Sequence, residues 1–186
     1  GESGYQATES HAWIKDLGIS YSLGVDGISL FLVVLTALLF PIAILVSESV
    51  KNNQLSFVAW LLLLESAVLV VFVARDLFLF FIGFELVLIP MYFLILGFGH
   101  GDSKRVAVKF FLFTMGGSIF FLASMLTLAG MNASDSGAWS FSIDTLMTYA
   151  SQNISHTASM WLFAGFAIAF AVKVPLFPLH TWLPDA

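Results

Sequence analysis

The stretch WLFAGFAIAFAVKVPLFPLHTWLPDA, Trp161–Ala186, decides how the rest is read. An apolar helical run begins at Met160 and carries one cation, Lys173. At about 1.5 Å per residue, that cation falls near the middle of a hydrocarbon layer about 30 Å thick. Pro175 and Pro178 follow at once. Each lacks an N–H and clashes with the carbonyl four residues back, so the spacing predicts a helix break and two carbonyls, those of Ala171 and Val174, without helical partners. A lysine beside opened backbone at that depth is tolerated where it lines a wet or protein-walled cavity.

Composition extends this to the whole chain. Of 186 residues, 59% are apolar and only 10% charged, against about 45–50% and about a quarter in soluble domains. Mean hydropathy is +0.95. The chain reads as an all-α membrane protein. A net charge of −5 with no basic run excludes nucleic acid as a partner. The lack of cysteine excludes disulfides, thiol nucleophiles and Cys-held iron–sulfur clusters or haem. No HExxH or calcium-loop spacing is present, so no metal site is expected. The polar start without an initiator Met, and the Pro-Asp turn signal at the end, read as an internal piece of a longer polytopic protein.

Residues 1–27 form a polar extramembrane segment with Trp13 and Tyr21 as interface residues, and Asp26 or Ser29 as the cap of the next helix. Residues 28–130 hold four apolar spans, at about 28–46, 55–74, 77–98 and 106–130. Residues 131–159 read as an extramembrane loop with a short surface helix over 142–149. Residues 160–186 are the broken fifth span and the start of a turn. Lys51, Lys104 and Arg105, with Lys109 just inside a helix, outweigh Lys15 and Arg75 on the opposite side. That bias places the N-terminus and the 131–159 loop outside.

Glu85 lies in the third span, which enters from the same side as the fifth, so Glu85 and Lys173 share a depth and invite an ion pair. Such a pair either fixes packing or marks an ion path, and the second is the commoner meaning of intramembrane charge. Pro90 removes a hydrogen bond to Leu86 and is expected to kink the helix beside Glu85. Glu65, on a face with Leu61, Leu62, Leu69 and Phe72, reads equally as a neutral bundle acid or a proton-path residue. Lys109 can snorkel to the headgroups or serve a proton inlet. His180 is a candidate relay or a structural hydrogen-bonding residue. Gly116, Gly117 and Ser118 let another helix approach closely.

Four stretches carry a resemblance. VKVPLFPLHTWLPDA (172–186), LFLFFIGFELVLIPMYFLILGFGH (77–100), VDGISLF (25–31) and VKFFLFTMGGS (108–118) resemble the antiporter-like proton-pumping subunits of respiratory complex I, of the chain M or subunit 4 type. The resemblance implies a fragment of a roughly fourteen-helix fold, holding its third to seventh helices. It implies that Glu85 and Lys173 are the family's proton-translocating carboxylate and lysine, and that Lys109 is its basic residue in the sixth helix. Glu65 sits where only some relatives carry an acid. It further implies partners among the other membrane-arm subunits, and no cofactor in this chain, with NADH, FMN, iron–sulfur clusters and quinone expected in partner subunits. A sodium/proton antiporter or a membrane-bound hydrogenase built from the same module is the alternative. A non-transporting membrane scaffold is the alternative of another class.

Overall fold

The computed structural model describes residues 4–47, 50 and 53–185. Residues 1–3, Lys51 of the charge bias, and Ala186 lie outside the described residues. The element order is β1 (Gln6–Ile14), β2 (Ile19–Val25), α1 (Gly27–Val46), α2 (Gln54–Val73), α3 (Leu77–Leu86), α4 (Leu88–Phe98), α5 (Ser103–Ser136), α6 (Ile143–Asn153) and α7 (His156–Lys173). Among the described residues, five helical spans are long and apolar enough to cross a membrane, with α3 and α4 together forming one of them.

The spans begin where the sequence offers caps. Asp26 accepts from the amides of Ile28 and Ser29 at 2.9 and 2.7 Å, while Ser29 Oγ accepts from the Asp26 amide. This reciprocal box starts α1. Helix α1 is apolar all round and buries only Thr36 within the chain, as suits a helix surrounded by lipid or further protein. The third span is interrupted at Val87, between Glu85 and Pro90, and resumes as α4.

The expected loop over 131–159 is corrected. Helix α5 continues to Ser136, ended by Gly137 in the left-handed region at φ 78°. Its 34 residues measure about 51 Å, well beyond the hydrocarbon layer of about 30 Å. The added residues, Met131–Ser136, are largely polar. They are tied sideways by Tyr149 of α6, whose hydroxyl donates to Asp135 at 2.5 Å. Helix α7 begins at His156 rather than Met160, because Ser155 caps it by accepting from the Ala158 amide. The surface helix is present and runs to Asn153.

The N-terminal segment, for which no secondary structure was expected, forms an antiparallel hairpin. Its turn lodges under the 139–141 backbone. Gly18 has φ +63°, and a Cβ there would come within 1.9 Å of the Trp139 carbonyl oxygen.

Helices α5 and α7 approach closely. A Cβ on Gly117 would meet Val172 at 2.9 Å, and one on Gly165 would meet Ser124 Oγ at 2.0 Å. Gly116 faces open space, so of the two glycines in the expected small-residue cluster Gly117 makes the approach. Phe121, 1% exposed, centres the main core with Met125, Ala129 and Ala169. A second core gathers Leu88, Ile95, Ala107, Phe110 and Trp182 where the chain folds back after α7.

Candidate functional site

The site forms where two interrupted helices meet. Helix α7 stops at Lys173, with Val174 as its C-cap and Pro175 next. The missing Pro175 N–H would have served the Ala171 carbonyl. The Leu176 amide takes that role instead, at 2.8 Å. The expectation that Ala171 loses its partner is therefore corrected: the vacancy moves one residue, to Val172, whose normal partner was Leu176. The indole Nε1 of Trp182 fills it, donating to the Val172 carbonyl at 2.9 Å. Trp182 is 7% exposed and sits edge-on to Phe110 with ring centroids 5.2 Å apart. The strap after the break is thus fastened to the last turn of α7, beside Lys173.

Lys173 points across to α3. Its Nζ donates to the Phe84 carbonyl and stands 3.6 Å from the centroid of the Phe84 ring. Glu85 is the next residue along α3. The contact ion pair expected from their shared depth is not formed: no bond within 4 Å joins the two side chains. One carboxylate oxygen of Glu85, Oε1, is buried with no hydrogen-bond partner. The reason is geometric. The lysine reaches the backbone and ring of residue 84, both of which point at α7, and leaves the neighbouring carboxylate unengaged. A buried unpaired polar atom costs roughly 1–3 kcal/mol, more when charged, so the native arrangement retains an unfilled demand at this point.

The other candidates fall into two groups. His180 lies in the strap, with Nδ1 buried and unpartnered and its ring 5.6 Å from that of Phe177. Lys109 donates to the Thr181 carbonyl at 2.6 Å, so it secures the same strap from α5. Glu65 is half-buried on α2 and takes part in no hydrogen bond or ion pair with the described residues. It is not brought to the Lys173 site by any contact. Pro175 and Pro178 flank the turns after Lys173. Among the described residues no three His, Asp or Glu side chains converge as a metal site would require.

Sequence reading did not single out Phe84, Trp182 or Asp76. Asp76 is 1% exposed. It accepts from Ser20 N of β2 at 3.0 Å, and from Phe78 N and Leu79 N at the start of α3 at 2.9 and 3.2 Å. Burial raises its pKa above the ordinary carboxylate value, and the three amide donors oppose that rise. Around it, Arg75 N donates to Ser22, Leu77 N to Phe141, and Ile143 N to Arg75. Arg75 pairs with Asp144 at 2.6 Å and lies over the Tyr5 ring.

Five apolar spans, with a half-buried lysine at a helix break and a half-buried glutamate on a second interrupted helix, define a polytopic membrane protein with ionisable groups between its helices. Residues 74–186 match the family model described as NADH:quinone oxidoreductase/Mrp antiporter, TM, and residues 8–74 match that of the NADH-ubiquinone oxidoreductase chain 4 amino terminus. The chain belongs to the NADH:quinone oxidoreductase/Mrp antiporter membrane family. It is 41% identical over 186 residues to NAD(P)H-quinone oxidoreductase chain 4 1 of Picosynechococcus sp., an alignment covering 100% of this chain and 34% of the relative. It is 40% identical over 188 residues to NADH-quinone oxidoreductase subunit M of Escherichia coli, covering 98% and 36%. A chain of respiratory complex I from Thermus thermophilus, solved with bound NADH, superposes with TM-score 0.80 at 32% identity, covering 96% of this chain and 36% of that one. The chain therefore spans about a third of the length of the curated relatives it matches.

Proposed function

We propose that this chain serves in a membrane-arm subunit of NADH:quinone oxidoreductase and carries part of a proton path across the membrane. Electron transfer from NADH to quinone elsewhere in the complex drives it. NADH, FMN, iron–sulfur clusters and quinone belong to partner subunits in this reading. The chain itself contributes positioned ionisable groups within an energy-transducing bilayer, alongside other membrane-arm subunits. The N-terminal hairpin and the 137–155 segment face the outer side.

The observation that carries the reading is the seat of Lys173: a desolvated ammonium at the end of a broken helix, beside a carboxylate whose Oε1 has no partner. A charge at about 5 Å contributes about 3 kcal/mol at an effective dielectric near 20. An ionised Glu85 that approaches the lysine holds the ammonium. When Glu85 withdraws, the ammonium is left poorly compensated and releases its proton onward. The strap held by Trp182 and Lys109 sets where the lysine can move. His180, with its free ring nitrogen, stands on that strap as a relay candidate. Glu65 is a second acid on the path only if a group outside the described contacts reaches it.

The test uses the full-length protein in its assembled complex, reconstituted in vesicles. Lys173→Met is expected to abolish proton uptake while the complex still assembles. Normal pumping by that variant refutes the reading. The family description also covers antiporters, so a sodium/proton antiporter is the second reading. Sodium-dependent proton flux without quinone reduction would select it.

A further inference from the structure

We propose that Phe84 is a positioning residue for the proton step, its carbonyl and ring face together forming a resting seat for protonated Lys173 that competes with Glu85. The inference rests on the proton-path reading above and adds a residue to it. Three observations converge on the seat. Lys173 Nζ donates to the Phe84 carbonyl. The same nitrogen stands 3.6 Å from the centroid of the Phe84 ring. Glu85, adjacent in sequence, leaves Oε1 buried and unpartnered.

The two halves of the seat act differently on the two forms of the lysine. A carbonyl accepts from either an ammonium or an amine. The negative face of an aromatic ring attracts only the cation. A lysine that has lost its proton loses the ring's attraction and leaves the seat readily. A lysine that regains a proton is drawn back. The ring therefore couples the charge of Lys173 to its position, which a bare carbonyl would do only weakly. The ring is itself held in place. Phe84 is buried and lies among Phe80, Phe121 and Phe170, with centroids 6.0, 5.6 and 5.7 Å away. It cannot swing to follow the ammonium.

The other charged groups near this arrangement are few. On α3 the charged group next to the seat is Glu85. On α5 Lys109 is engaged at the Thr181 carbonyl. The strap after α7 carries His180. Each is left intact in the test.

In the full-length protein within its complex, Phe84 is replaced by mono-, di- and trifluorinated phenylalanines, which keep the ring's shape and drain its negative face. The expected result is a stepwise displacement of the alkaline limb of the pumping pH profile to lower pH, reaching about half to one and a half pH units. The same series at Phe80, in the same aromatic cluster but away from the ammonium, is expected to leave the profile unmoved. A flat response at Phe84, or an equal response at Phe80, overturns the proposal while leaving Lys173→Met free to support the parent reading. Unimpaired pumping by Lys173→Met overturns both.

Discussion

Asp76 and Glu85 sit on one helical span, about two and a half turns apart, and their surroundings differ in kind. Asp76 is wrapped: three backbone amides fill its oxygens, and the neighbouring strand, α2–α3 link and 141–143 segment exchange three further backbone hydrogen bonds. Glu85 is half-buried with one buried oxygen left over, beside a lysine whose Nζ donates to a carbonyl instead. Even in the Asp76 region one buried nitrogen, Arg75 Nε, is unpaired, but its guanidinium is still anchored by Asp144. The comparison separates two uses of buried charge. Where the charge holds elements together, its partners are fixed backbone donors that cannot leave. At Glu85 no fixed donor fills the buried oxygen, and the neighbouring lysine rests on a backbone carbonyl instead.

The largest expected contrast comes from the lysine. Lys173→Arg should fail in pumping as completely as Lys173→Met, because a guanidinium keeps its proton although it keeps the charge. A proton-flux assay in vesicles reads this directly. A pumping Arg variant would mean that the charge acts as a static strut, as Asp76 does. Next comes Glu85. Glu85→Gln should reduce pumping by about tenfold or more, since it removes a charge interaction of about 3 kcal/mol, whereas Glu85→Asp should retain a substantial fraction. Equal loss in both would point to shape rather than charge.

On the other side of the comparison, Asp76→Ala should lower folding stability by about 2–4 kcal/mol, from a lost helix cap and a stranded Ser20 amide. Thermal unfolding in detergent or lipid measures it, and any surviving complex should pump with a normal pH profile. The smallest effect is expected at the half-exposed ion pair. Asp144→Asn should cost no more than about 1 kcal/mol, because Asp144 remains 53% exposed at the Arg75 contact.

The spans, and a charge in the third and in the fifth of them, were legible in the sequence for one reason. An 18-residue apolar run is long against any loop, and a Lys or Glu inside it has no soluble explanation. The break after Lys173 was legible because proline deletes a specific donor. What followed was not. The displaced vacancy at Val172 and its repair by Trp182 depend on where a strap folds back, which no spacing encodes. The seat on Phe84 was hidden because a backbone carbonyl leaves no mark on a sequence. The hairpin was missed because Gln6–Ile14 is exposed throughout and shows no apolar alternation to betray a strand. Asp76 looked like a link residue, since its burial comes from three segments far apart in the chain.

The central claim is that the charge of Lys173 answers to Glu85. Solid-state 15N NMR of the full-length protein in lipid, with lysine side chains labelled, measures it most directly once the signal absent from Lys173→Met is assigned. The account predicts an ammonium signal that turns to amine at lower pH in Glu85→Gln than in the unaltered protein. Identical titration of that signal with and without the Glu85 charge would contradict it.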